Sequence, residues 1–209
     1  MRVLIVDDHA VVREGIKRIV AGIDEHVVVG EAADAAEACR RVREDAWDLV
    51  LLDISLPGRT GLDLLGQLRR EHPKLPVLVL SMYPEDQYAA RVLRAGASGY
   101  LTKESAPEQL ATAIGAVTSG GRYVSPGLAV HLASRLDEHW QQPAHETLSN
   151  REFTVLRLLA QGRQASEIAQ TLSLSVKTVS TYRSRVLKKL GMQTTAELMA
   201  YAIREGLAD

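Results

Sequence analysis

Hydrophobic residues in the first half of the chain come in short runs, and each run stops at a polar residue of a particular kind. Val3-Leu4-Ile5-Val6 stops at Asp7-Asp8, and Leu49-Val50-Leu51-Leu52 stops at Asp53, with Pro57-Gly58 shortly after. Val77-Leu78-Val79-Leu80 stops at Ser81, and Gly99-Tyr100-Leu101-Thr102 stops at Lys103. Such runs, without polar alternation, predict strands buried on both faces. Val27–Val29 predicts a further strand. Between the runs the period changes to that of helices. Val12, Ile16, Ile19 and Val20 share one face of His9–Ala21, with Gly22 as a stop, and Leu62, Leu65 and Leu68 share one face of Gly61–Arg70. Asp34 with Glu37, and Ser105 with Glu108, have the spacing of capping boxes. Pro84 suits a first helical turn, Gly96 ends that helix, and the next ends at Gly120-Gly121. Strand and helix alternate five times, which predicts an α/β fold with a doubly wound parallel five-stranded sheet and right-handed crossovers. The short connections fit a flavodoxin-like order, which sets the ends of the first and third strands side by side.

The pattern changes near residue 121. Residues 121–145 predict a linker that is partly helical: Ser125-Pro126 can open a helix through Leu128, Leu132 and Leu136, whereas His139–His145, with Trp140, has neither period. Residues 146–209 predict a small all-α domain of four helices. Ser149 with Glu152 caps the first, which ends at Gly162. Ser166–Leu172 is a short second helix. Ser175 caps a third that runs to Leu190 and stops at Gly191, and Thr194 with Glu197 caps a fourth ending at Gly206. Two short helices joined by a tight turn read as helix-turn-helix.

Composition narrows the class. With 209 residues, 46% of them hydrophobic, the chain can bury two modest cores. No apolar run approaches a membrane span. The chain enters a strand at once, so no signal peptide is expected. One cysteine, Cys39, fits a reducing cytoplasm and a core position. The net charge of −1 conceals an asymmetry: residues 1–120 carry 14 Lys+Arg and 18 Asp+Glu, residues 146–209 carry 9 and 6. A basic domain tied to an acidic one suggests polyanion binding by the basic part.

At one rim of the predicted sheet arrive three acids, a hydroxyl and a lysine. Carboxylate oxygens suit a hard divalent cation, and a lysine with a hydroxyl suits a phosphoryl group. Asp7-Asp8, Asp53 with Pro57-Gly58, Ser81 and Tyr100-Leu101-Thr102-Lys103 resemble, in order and spacing, the receiver domain of two-component response regulators, over residues 1–120. The resemblance implies that Asp53 accepts a phosphoryl group from a sensor histidine kinase. It implies that Mg²⁺ lies among Asp7, Asp8, Asp53 and the backbone carbonyl of Ser55. It further implies that Lys103 binds the phosphoryl oxygens, and that Ser81 and Tyr100 move with them. His9 is expected to be a polar neighbour, not a ligand. Leu56 stands where many relatives carry Met.

The third helix of the basic part, projected at about 100° per residue, gathers Val179, Tyr182, Val186 and Leu190 on one face. Lys177, Thr181, Ser184 and Lys188 fall opposite, with Ser180 and Arg185 beside them; Arg183 is expected to lie along the apolar side. From 176 to 190 there are five Lys/Arg and no acid, a pattern that favours phosphate contact. Leu148-Ser149, Arg151-Glu152, Ile168-Ala169, Leu172, Val176-Lys177-Thr178-Val179, Tyr182 and Lys188-Lys189-Leu190 resemble the LuxR-type DNA-binding domain of NarL/FixJ-like regulators. That resemblance implies base contacts by Ser180, Thr181 and Ser184. It implies further contacts to double-stranded DNA by Lys177, Thr178, Arg185, Lys188 and Lys189, and a homodimer formed through the last helix, where Leu198, Tyr201, Ala202 and Ile203 offer more apolar residues than one core stripe needs. Serines at two base-facing positions, where some relatives carry Lys, leave the DNA site open. The expected protein is a cytoplasmic, phosphorylation-controlled transcriptional regulator that catalyses at most its own phosphotransfer. Two other classes are weighed. An aspartyl-phosphate hydrolase would carry an acid at Ser55. An atypical regulator, switched by protein or ligand contact, need not keep all five rim groups.

Overall fold

A computed structural model describes residues 1–23, 25–58, 60–137 and 143–208. The expected position of Trp140 in the linker lies outside the described residues. The chain divides into two compact units, Met1–Glu138 and His139–Asp209.

In the first unit, strands β1 (Arg2–Val6), β2 (Val28–Ala32), β3 (Leu49–Asp53), β4 (Val77–Ser81) and β5 (Gly99–Thr102) pair in parallel in the order β2-β1-β3-β4-β5. Helices α1 (Ala10–Ile23), α2 (Ala35–Glu44), α3 (Gly61–Glu71), α4 (Glu85–Arg94) and α5 (Ala106–Thr118) alternate with them. The three central strands are buried on both faces, as unbroken apolar runs require. Val3, Ile5, Leu51, Leu80 and Leu101 form one core with Ile16, Leu110 and Ile114 from the helices.

Several boundaries differ from the sequence expectation, each for a local reason. Strand β2 reaches Ala32, because its ladder with β1 runs from Arg2 opposite Val28 to Val6 opposite Ala32. Gly30 sits in that ladder under the Trp47 ring, where a Cβ would come within 2.2 Å of the indole. Helix α1 continues through Gly22 to Ile23. Ser105 does not cap α5: its backbone is already helical, and its hydroxyl turns back to Thr102. Asp34 does cap α2, but Glu37 closes on the N–H of Ala33 and not on that of Asp34. Residues 121–137, counted with the linker, add to the first unit. Tyr123 forms a bridge with Gly99, and its hydroxyl donates to Gln109 (3.0 Å). Helix α6 (Pro126–Asp137) packs on α4. The Ser125 hydroxyl donates to the Glu85 carboxylate and accepts from the N–H of Leu128, tying the start of α6 to the start of α4.

The second unit holds a 3-10 turn (Ala144–Thr147) and helices α7 (Asn150–Ala160), α8 (Ala165–Thr171), α9 (Val176–Leu190) and α10 (Thr195–Arg204). Ser149 and Glu152 form the expected capping box. Helix α7 packs against α8, α9 and α10, so Phe153, Val155, Leu156 and Leu159 are all buried. Arg157 is also buried and donates to the carbonyl of Leu207, fastening the chain beyond α10 to α7.

Gly61 opens α3 against the backbone that leads out of β3. A Cβ there would lie 2.1 Å from the carbonyl oxygen of Asp53 and 2.6 Å from Cα of Ile54. Backbone cannot move aside as a side chain can, so Gly61→Ala should cost about 1–3 kcal/mol of stability. Gly66 of the same helix would meet only the flexible end of Arg70, at 3.6 Å. Gly66→Ala should therefore stabilise by up to about 1 kcal/mol. Thermal and denaturant unfolding of the two variants will check the contrast.

Candidate functional site

The register of the sheet delivers the strand ends to one rim. Val6 lies opposite Leu52, Asp53 opposite Leu80 and Ser81 opposite Thr102. Asp53 ends β3 with its carboxylate buried. Its Oδ1 accepts the N–H of Ser55 (2.8 Å), and its Oδ2 accepts from Nζ of Lys103 (2.6 Å). The same ammonium stands 2.6 Å from Oδ2 of Asp7, and Oδ1 of Asp7 accepts the N–H of His9 (2.8 Å). Asp8 is half exposed beside them, with Nδ1 of His9 2.9 Å from its Oδ1. Ligand atoms of Asp7, Asp8, His9 and Asp53 all lie within 4.8 Å of one another. Ser55 reaches the site through its N–H, while its side chain is exposed.

Burial pushes the Asp53 carboxyl above its ordinary range. Lys103 and the Ser55 N–H oppose that rise, and the neighbouring Asp7 adds to it. Burial also disfavours the Lys103 ammonium, but Asp53 and Asp7 outweigh this and raise its pKa. Three carboxyl groups thus gather around one ammonium, and the pocket collects hard oxygen donors in excess of the single cation. That excess and that donor type fit a divalent cation such as Mg²⁺.

Ser81 is fully buried, and its Oγ accepts the N–H of Tyr83 (3.0 Å). Tyr100 is also buried, and its hydroxyl donates to the carbonyl of Tyr83 (2.7 Å). The two expected switch residues thus hold the two sides of one backbone unit. The Tyr83 ring stacks on Tyr88 of α4, with centroids 4.5 Å apart and planes 10° from parallel. Tyr83 carries no signal in the sequence, since its part in the site is played by its main chain.

In the second unit, α9 buries Val179 and Val186 and half-buries Tyr182 and Leu190. Lys177, Ser180, Thr181, Ser184, Arg185 and Lys188 are exposed. The hydroxyls of Thr181 and Ser184 donate to the carbonyls of Lys177 and Ser180 (3.0 Å each), which leaves their lone pairs facing outward. Arg183 is exposed. Thr178 is half-buried and engaged with Ser175 at the helix cap. Lys189 has a further partner inside the unit. Its Nζ lies 2.6 Å from Oε2 of Glu152 and 3.4 Å from the carbonyl of Thr147, so it joins α9 to the α7 cap. The last helix also departs from expectation. Leu198, Tyr201 and Ala202 are buried within their own unit, and the Tyr201 hydroxyl meets Nδ1 of His145 at 2.9 Å. A core of four short helices needs those three residues as its fourth wall. Ile203 is the exposed large apolar residue of α10, 65% accessible, with Ala196 and Ala200 also exposed.

Comparison with known proteins agrees with this division. Residues 3–115 match the response regulator receiver domain family, and residues 146–202 match the luxR family of bacterial regulatory proteins. Response regulator UvrY of Escherichia coli (strain K12) is 38% identical over 210 residues, covering 100% of this chain and 96% of UvrY. Response regulator GacA of Pseudomonas aeruginosa is 39% identical over 211 residues, covering 100% and 98%. Among solved structures, RcsB from Salmonella enterica serovar Typhimurium, bound to promoter rprA in the presence of the phosphomimetic BeF3−, is 29% identical with a TM-score of 0.65, covering 96% of this chain and 98% of that one. The site therefore belongs to a receiver joined to a helix-turn-helix unit. The chain is a member of the two-component response regulators, in the NarL/FixJ-like branch with a LuxR-type DNA-binding domain. Among the described residues, no helix is long and apolar enough to cross a membrane.

The Glu152–Lys189 pair sets an acid limit on the second unit. Burial alone would lift the Glu152 carboxyl, but Lys189 and Ser149 outweigh it and hold the group below its ordinary value of 4.5. A depressed folded-state pKa stabilises the fold fully above the unfolded value and loses that contribution as pH falls through the folded one. Unfolding of the isolated pair's unit in the full chain, followed by circular dichroism, should show stability falling below about pH 4.5. Glu152→Gln should lower stability at pH 7 and flatten that acid limb.

Proposed function

We propose that Asp53 accepts a phosphoryl group from the phosphohistidine of a sensor kinase, and that this controls binding of the C-terminal unit to double-stranded DNA as a homodimer. The observation that carries the proposal is the Asp53 carboxylate itself, buried at a strand end and held on one oxygen by the Ser55 N–H and on the other by Lys103. A carboxylate can act as a nucleophile toward phosphorus. One oxygen of Asp53 forms the new P–O bond while the P–N bond to the donor imidazole breaks, and the imidazole leaves with that electron pair. Asp7, Asp8, Asp53 and the Ser55 carbonyl would hold Mg²⁺, which when bound supplies positive charge to the phosphoryl oxygens. Lys103 is placed to move from the carboxylate to those oxygens. The Ser81 oxygen accepts from Tyr83, so its own proton is available to a phosphoryl oxygen. Drawing Ser81 inward loosens its hold on Tyr83, the residue that Tyr100 grips from the other side. The disturbance thereby reaches the start of α4.

On DNA, Lys177, Arg185 and Lys188 would hold phosphates, and Ser180, Thr181 and Ser184 would face base edges as acceptors. None of those three basic residues forms an ion pair among the described residues. The related RcsB has been solved in a complex with DNA and as dimers on DNA, which supports paired half-sites here. Of the four expected apolar residues of α10, Ile203 is the exposed one and so the candidate contact. Ser55 offers no second acid, which disfavours hydrolysis of a separate substrate. The protein is accordingly proposed to act in the cytoplasm, with no chemistry beyond its own phosphotransfer and dephosphorylation.

Intact-protein mass spectrometry after incubation with a small acyl phosphate and Mg²⁺ should show a single phosphoryl adduct on the wild type and none on Asp53→Ala. No adduct on the wild type under these conditions would remove the reading. Lys177→Ala and Lys188→Ala should each lower the slope of log affinity against log salt by about 0.9. Lys189→Ala should instead lower stability and leave the slope nearly unchanged, which separates the phosphate contacts from the structural lysine.

A further inference from the structure

Asp7 and Asp8 are adjacent in sequence, yet both offer an oxygen to one small pocket. On a strand, neighbouring side chains point to opposite faces. Asp7 still belongs to the sheet, because its N–H donates to the carbonyl of Ala32 (3.1 Å) beyond the last residue pair of β1 and β2. The chain must therefore leave the extended conformation between Asp7 and Asp8 and hold the new direction. The Asp7 side chain helps from within, through its bond to the N–H of His9. A second hold comes from outside the turn. Arg13, one turn into α1, donates from Nη1 to the backbone carbonyl of Asp7 (2.8 Å) and from Nε to Oε2 of Glu31 on β2 (2.8 Å). Glu31 is anchored in turn on its other oxygen by Lys17 (2.8 Å), and Lys17 also meets Glu14 (2.7 Å). The Arg13 side chain is only 15% exposed.

We infer that Arg13 is a positioning residue for the acid pair. It grips the peptide that joins Asp7 to Asp8 and so fixes the direction in which both carboxylates leave the main chain. The guanidinium suits this because it is a rigid fork, with one arm for the carbonyl and one for Glu31. A lysine at the same position could reach one partner or the other, but not both in a fixed relation. Arg13 touches no carboxylate of the pocket in the contacts above. Its effect on the pocket is carried by the main chain of Asp7, and the role differs from that of Lys103, which touches the carboxylates directly.

The inference deepens the phosphoacceptor reading, since it rests on Asp7 and Asp8 being the cation ligands of that site. The test uses the full chain and Mn²⁺ as a spectroscopic probe for the divalent cation. Electron paramagnetic resonance titration gives the dissociation constant directly, without phosphoryl transfer. Arg13→Ala should weaken Mn²⁺ binding by about tenfold or more, the usual scale when a partner that orients a ligand is lost. Arg13→Lys should recover only a small part of this. Glu31→Gln, which keeps the guanidinium but weakens its anchor, should fall between them. Arg2→Ala removes a salt bridge of similar length (to Asp45, 2.7 Å) at the far end of β1, and should bind Mn²⁺ as the wild type does. With an acyl phosphate as donor, Arg13→Ala should label slowly at low Mg²⁺ and regain most of the wild-type rate when Mg²⁺ is raised. Because a cation that binds the folded state also stabilises it, circular dichroism of Arg13→Ala at low Mg²⁺ should match the wild type, which separates this effect from global loss of structure. Wild-type affinity in Arg13→Ala, or full recovery in Arg13→Lys, would overturn the inference. Should Arg13→Ala fail to fold, Glu31→Gln and Arg13→Lys still decide it. A wild type that binds Mn²⁺ but takes no phosphoryl group would count against the acceptor reading and leave the Arg13 measurement intact.

Discussion

The first unit depends on one ammonium placed between two buried carboxylates. Asp7 and Asp53 are each about 1% exposed at the rim of a sheet whose interior is otherwise aliphatic. Two unpaired carboxylates in that setting would repel each other and would each lose their hydration. Lys103 answers both costs at 2.6 Å from each. It does so from the end of β5, two strands away from β3, so the whole strand order has to be correct before the pair is neutralised. Charge and topology are therefore coupled: the fold places the lysine, and the lysine makes the acid pocket tolerable to the fold.

The same arrangement is incomplete by design of its charges. Lys103 is shared by two carboxyl groups, and Asp8 stands beside them as a third, with Nδ1 of His9 2.9 Å from its Oδ1. A site balanced in this way responds strongly to any added ion or phosphoryl group. In the proposed phosphorylation, Tyr83 is the point at which such a response would become movement, because its amide and its carbonyl are held by separate side chains on separate strands. Its ring, stacked on Tyr88, ties that point to α4.

Much of this was legible from residue pattern. Apolar runs that end in Asp7, Asp53, Ser81 and Lys103 gave the strands, their burial and their common rim, because side chains at strand ends are fixed by strand order alone. The features that escaped depend on partners far away in sequence or on the main chain. Lys189 reads as one more basic residue of α9 until Glu152, thirty-seven residues earlier, is seen beneath it. Leu198, Tyr201 and Ala202 look like surplus apolar surface until the small core of α7 claims them. Arg13 shows an ordinary helical charge, since its partner at the rim is a carbonyl. Gly61 gives no hint that α3 begins against the backbone of Asp53.

The bridge between Tyr123 and Gly99 has a consequence for the sheet as an object with edges. Strand β5 is the last strand on its side, and an open edge invites pairing with another chain. Tyr123 donates its N–H to the carbonyl of Ser98 (2.9 Å), and Gly99 has no side chain to keep that segment away. The chain thus covers the start of that margin with the stretch that follows α5. A version ending at residue 120 would keep the acid pocket and its five strands, yet present a bare margin along β5 where self-association can start.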